Sequence, residues 1–176
     1  RLVTLGDSIP KHIRECTVNT EKESKYQKLF NIDHLPDDLF VSPGTKAPNR
    51  TGFSKYASYI NSLTEQKYGR PLILAMSADL SDSTNISGFS KGYGGSRDKG
   101  FYEKEINTES PLFPQGITEF TNAGMMAGAS TVNFSAKPYK HFSGFYGAVS
   151  TYGSFSYLKY GPLRLFSQLA QDSELK

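Results

Sequence analysis

Leu72-Ile73-Leu74-Ala75-Met76 is a short, unbroken apolar run, the pattern of a strand buried on both faces. Upstream, Phe53, Tyr56, Ala57, Ile60 and Leu63 recur at helical spacing, so the spacing predicts a helix from Thr51 with one apolar face. Gly69 is its stop, and Arg70-Pro71 punctuates the passage into the strand. Helix, turn and buried strand in this order indicate an α/β fold with a mainly parallel sheet and helices on both faces. In such sheets ligands bind beyond the carboxyl ends of the strands. Immediately past this strand come Ser77-Ala78-Asp79-Leu80 and then Ser81-Asp82-Ser83-Thr84-Asn85.

Downstream, residues 115–130 read Gln-Gly-Ile-Thr-Glu-Phe-Thr-Asn-Ala-Gly-Met-Met-Ala-Gly-Ala-Ser, with Glu119 as the only carboxylate. Gly116 and Ile117 suit the exit from a strand, and Thr118 suits a helix N-cap. Phe120, Ala123, Gly124, Ala127 and Gly128 recur at three and four. One side of this helix therefore carries little bulk, which lets another backbone approach closely, often that of a second subunit. Glu119 itself reads in two ways. It is either a first-turn acid favoured by the helix dipole, worth under about 1 kcal/mol, or a buried proton donor facing a ligand.

The rest of the chain narrows the class. Its 176 residues suffice for one domain with a core. A composition of 37% hydrophobic and 21% charged residues is that of a globular protein. A net charge of +3 gives no reason to expect nucleic acid. No apolar run approaches the about 18 residues of a membrane span, and no secretory signal pattern is present. The single cysteine, Cys16, excludes an internal disulfide framework and fits a reducing, cytoplasmic setting. It has no ligand partners at metal spacing and reads as inert.

Residues 1–50 read as a linker or N-terminal extension to a domain spanning residues 51–176. Residues 21–28 form a charged run that reads as a solvated helix face. Residues 86–114 are rich in Gly, Ser and charge, and Gly92-Tyr93-Gly94-Gly95 reads as a surface or lid-like loop. Val132-Asn133-Phe134 closes the helix segment, and His141 reads as structural. Tyr152, Phe155 and Leu158 recur every three residues. If helical they form one apolar ridge, whose ordinary use is core packing. Arg164, Leu165, Leu169 and Ala170 continue that helix.

Taken together, Ser77-Ala78-Asp79-Leu80, the Ser-Thr-Asn stretch, Gly116-Ile117-Thr118-Glu119, Ser150-Thr151-Tyr152 with Phe155, and Arg164 resemble the transketolase family. The resemblance is to its pyrimidine-binding domain and covers residues 50–176. It implies a thiamine-diphosphate-dependent enzyme that transfers a two-carbon ketol unit between sugar phosphates. It implies that Glu119 bonds the ring nitrogen N1′ of the cofactor's pyrimidine, where burial disfavours the charged carboxylate and poises it for proton sharing. Tyr152 and Phe155 match the aromatic positions around that ring, and Leu158 takes the third place, where relatives can carry an aromatic. Asp79 matches the cofactor-side acid of the Ser-Ala-Asp-Leu motif. Ser83 matches a hydroxyl that helps hold a sugar phosphate, and Arg50 stands for the accompanying guanidinium contact.

The family's diphosphate and magnesium site is a Gly-Asp-Gly motif on a separate domain. This sequence has no such motif; Gly6-Asp7-Ser8 differs at its third residue. The chain opens at Arg1 and stops at Lys176, where the family normally continues into another strand. The resemblance therefore implies half of a cofactor site, completed by a diphosphate-binding domain of the same or another chain, within a homodimer. Two other readings stand beside it. One is the first component of a homodimeric 2-oxoacid (pyruvate) dehydrogenase, which shares the Gly-Ile-x-Glu helix. The other is a non-catalytic dimerisation domain.

Overall fold

The computed structural model describes residues 31–91, 100–131 and 145–172. Cys16, Gly6-Asp7-Ser8, the charged run at 21–28, Gly92–Gly95, Val132–Phe134, His141 and Phe142 lie outside the described residues.

Helix α1 spans Asn49–Tyr68 and starts two residues ahead of Thr51. Its end is fixed by Gly69, which adopts φ 71 and returns its N–H to the Glu65 carbonyl at 2.8 Å. That left-handed conformation is open to glycine without Cβ strain. Strand β1 follows at Ile73–Ser77, buried along its whole length. The expected strand is thus present, displaced by one residue.

Two further strands complete a parallel sheet of order β2-β1-β3, with β2 at Leu112–Phe113 and β3 at Tyr146–Ser150. Helix α2, Glu119–Ser130, lies between β2 and β3 in sequence and crosses past β1 to join them. A short 3₁₀ helix, Gly153–Lys159, then leads into α3, Tyr160–Asp172.

The pleat sorts β1 onto two layers. Ile73 and Ala75 pack with Ala57 and Ile60 of α1, and with Ile86, Phe89 and Leu112. Leu74 and Met76 pack on the opposite face with Met126 of α2, beside Phe113 and Val149. Helices therefore cover both faces, the arrangement that a two-sided apolar strand requires. Gly147 of β3 is where α2 comes nearest the sheet: a Cβ there would overlap the Met126 sulfur.

Within the stretch rich in Gly, Ser and charge, Ile86–Ser90 is a 3₁₀ helix with Ile86 and Phe89 buried in the core. Thr118 stands at the N-cap of α2, but its hydroxyl caps no helix N–H. At φ −140 and ψ 56 it turns to the Gly116 carbonyl and Asn122 Oδ1 instead. The small-residue face of α2 stays open toward the chain's own α3, with nothing within 4 Å of a Cβ placed at Gly124 or Gly128. A groove of about 380 Å³ between them is lined by Phe120, Gly124, Gly128, Pro162, Phe166 and Leu169 among others. Ala123 belongs to the buried face rather than to that groove.

Residues 31–48 carry two short 3₁₀ turns, Ile32–His34 and Asp37–Leu39, without a buried residue. Among the described residues no helix is long and apolar enough to cross a membrane.

Candidate functional site

Because all three strands run parallel, their carboxyl ends fall on one edge. The chain leaves β1 at Ser77, β2 at Phe113 and β3 at Ser150. Those exits lead directly into the segments that carry Asp79 and Ser83, Glu119, and Tyr152. Topology alone thus collects residues more than 70 positions apart in sequence at one edge.

The exit from β1 is a sharp one. Asp79 adopts φ 58, and its N–H reaches the Ser77 carbonyl at 2.8 Å. Asn85 has φ 61. Aspartate and asparagine tolerate the left-handed region better than most residues, and such positions gather where a loop is held for a task. Beneath them, Thr84 ties the β1 exit to the β3 exit through Ser150 Oγ at 2.9 Å. The Ser83 hydroxyl lies 3.1 Å from Tyr152 Oη and 3.3 Å from the Leu80 carbonyl. Asp79 also lines a cavity of about 230 Å³ with Ser77, Ser81, Phe101 and Gln115; Glu119 is not in its wall.

Glu119 opens α2 on the face turned to the sheet and is only 5% exposed. A carboxyl taken from water needs a replacement donor. Thr151, the first residue after β3, supplies it: its hydroxyl donates to Glu119 Oε1 at 2.8 Å. Lys159, at the end of the 3₁₀ helix, donates to the Val149 carbonyl at 3.0 Å. Burial pushes the Lys159 ammonium below the ordinary lysine value, and the negative charge of Glu119 pulls it partly back.

Tyr152, Phe155 and Leu158 do not pack into the core. They are 45%, 46% and 39% exposed. The reason lies in helix geometry. Gly153–Lys159 is a 3₁₀ helix with about three residues per turn, so residues three apart eclipse on one side. Here Phe155 and Leu158 are aligned behind Tyr152 at the N-cap, along a ridge that remains open. Tyr152, half exposed, directly follows the Thr151 that holds Glu119, and its hydroxyl reaches Ser83 at 3.1 Å.

The structure therefore brings Glu119, Tyr152, Ser83 and Asp79 to one edge, with Phe155 and Leu158 continuing the ridge. It does not bring Arg50 into that group by any contact. Arg50 is exposed in the first turn of α1. Its neighbour Thr51 accepts from Asn85 Nδ2 at 3.0 Å, which ties the start of α1 to the Ser83 segment. Thr151 and Lys159 received no role from the sequence. For Thr151 the only available signal was a hydroxyl directly before the aromatic ridge. For Lys159 there was none, because a lysine between tyrosines reads as a surface residue.

The depressed Lys159 value has a testable consequence. The unfolded chain holds that proton more tightly than the folded one, so stability rises as pH climbs toward the ordinary lysine value of 10.5. In thermal melts between about pH 8 and about pH 10, wild type gains relative to Lys159→Met. A constant difference across that range contradicts the burial of the ammonium.

Among the described residues no group of three or more His, Cys, Asp or Glu side chains could hold a metal ion. No protein-family pattern, curated protein or solved structure matches the chain.

Proposed function

We propose that this chain is the pyrimidine-binding part of a thiamine-diphosphate-dependent enzyme that transfers a two-carbon ketol unit between sugar phosphates. The observation that carries the reading is Glu119. It is a nearly buried carboxyl at the carboxyl edge of a parallel sheet, with one oxygen held by Thr151, the residue before half-exposed Tyr152.

The residues fit the pyrimidine half of such a cofactor. An aminopyrimidine presents a flat face and a ring nitrogen. Open rings at Tyr152 and Phe155 suit the face, and the carboxyl oxygen that Thr151 does not engage suits the nitrogen. When bound, thiamine diphosphate supplies the carbon nucleophile and the electron sink. The chain's own residues do the remainder. Glu119 would meet the ring nitrogen with the oxygen that Thr151 leaves free and exchange a proton with it there. Tyr152, Phe155 and Leu158 cover the ring and exclude water, which strengthens that bond. Asp79, at the β1 exit, is assigned to the cofactor side. Ser83 is assigned to the substrate phosphate.

The diphosphate and its magnesium ion require a companion domain from the same or another chain. Leu165 and Leu169 of α3 are exposed and line a groove with Phe120, an apolar surface suited to a partner. A second copy of the chain, as a homodimer, is the partner we assign to it. It follows that residues 1–176 alone bind thiamine diphosphate weakly. Calorimetry on this chain is expected to show no tight binding; tight binding without a companion domain contradicts the half-site.

The reaction itself is tested by a coupled assay of the complete protein with xylulose 5-phosphate against pyruvate. Ketol transfer is the expected activity. Pyruvate turnover without ketol transfer replaces this reading with the 2-oxoacid dehydrogenase. That alternative draws support from Ser83, whose hydroxyl is already engaged by Tyr152 and Leu80. A 2-oxoacid has no remote phosphate for it to bind.

A further inference from the structure

Glu119 has two oxygens, and the fold treats them differently. Oε1 receives the Thr151 hydroxyl at 2.8 Å. No other hydrogen bond from the described residues reaches the carboxyl, and Oε2 is not among the sealed, unpartnered atoms. The Thr151 hydroxyl carries one hydrogen, and donating it engages Oε1 and leaves Oε2 without a partner among the described residues.

We propose that Thr151 is a positioning residue for Glu119: by donating to Oε1 it holds the side chain in one rotamer and leaves Oε2 free to meet the ligand. The inference rests on the proposed reading of the site and adds to it the group that orients the acid. Thr151 is well placed for the task because it is the first residue past β3, whose five-residue register with β1 anchors its backbone. Lys159, on the 3₁₀ helix, is the charged group whose charge couples to Glu119; it is held separately by the Val149 carbonyl.

Two measurements test this. In the complete enzyme, Thr151→Val keeps the side-chain shape and removes the donor, while Thr151→Ser restores it. Thr151→Val is expected to lower kcat for ketol transfer at least about tenfold with little change in KM for the sugar phosphate, and Thr151→Ser to recover most of it. Independently, in the 176-residue chain without cofactor, the carboxyl carbon resonance of Glu119 in ¹³C-labelled protein is expected to move in Thr151→Val and to return in Thr151→Ser.

Wild-type kcat and an unmoved resonance in Thr151→Val overturn the proposal. If Thr151→Val does not fold, Thr151→Cys, a weaker donor, is expected to fall between Ser and wild type on one side and loss on the other; wild-type behaviour in Cys overturns it equally. A Glu119→Gln enzyme that keeps full activity instead overturns the functional reading, whatever the resonance shows.

Discussion

Replacing Glu119 with glutamine in the complete enzyme is expected to lower ketol transfer by about 10²–10⁴, the usual loss for a general acid–base, or roughly 3–5 kcal/mol. Glutamine preserves the volume of the side chain, and its carbonyl can still accept the Thr151 hydroxyl that now reaches Oε1. What it removes is a group that can take up and release a proton near neutral pH, since an amide can donate a hydrogen bond but does not act as an acid or a base there. The loss is therefore expected in kcat rather than in folding, with a circular dichroism melt close to that of wild type. Activity near the wild-type level would leave Glu119 as a buried acid with a structural role and would return the chain to the dimerisation-domain reading.

Asn61→Ala is the change expected to damage the fold most. Asn61 is fully buried in α1. Its Oδ1 accepts from the Leu72 and Ile73 amides at 3.1 and 2.8 Å. Its Nδ2 donates to the Ile73 and Phe89 carbonyls at 2.9 and 3.2 Å. One side chain thus joins α1, the start of β1 and the Ile86–Ser90 helix. Each buried backbone group left without its partner costs about 1–3 kcal/mol, and the lost volume adds to that. The expected destabilisation is at least about 4 kcal/mol, set against a typical total of about 5–15 kcal/mol. Urea titration is expected to show the midpoint falling sharply with the slope preserved. Asn61→Asp, equal in size, is expected to be no better, because its second oxygen would confront two carbonyls. A midpoint within error of wild type for Asn61→Ala would contradict the bridging role.

The sequence was legible where burial imposes a simple period. The run at 72–76 could only be a two-sided strand, and β1 lies one residue from it. The stop at Gly69 was readable because the left-handed turn suits glycine. The three-residue recurrence of Tyr152, Phe155 and Leu158 became an aligned ridge because the segment is 3₁₀, although its exposure was not foreseen. Strand β2 was hidden because two residues carry no period. β3 was hidden because Tyr146-Gly147-Ala148-Val149-Ser150 owes its extension to pairing with β1, not to its own composition. Asn61 was invisible since its value lies in four partners on two distant segments. Within the site, Glu119 could be singled out from its apolar company. The donor that restrains it, 32 residues away, becomes visible only once α2 and β3 are packed together.

The most direct test is the state of the cofactor's ring nitrogen. In the complete protein loaded with ¹⁵N-labelled thiamine diphosphate, the N1′ resonance is expected to move strongly on binding toward the value of a hydrogen-bonded or protonated nitrogen, and Glu119→Gln is expected to reduce that movement. An N1′ resonance that matches the free cofactor in the wild-type complex, or that moves equally with and without the Glu119 carboxyl, would contradict the account.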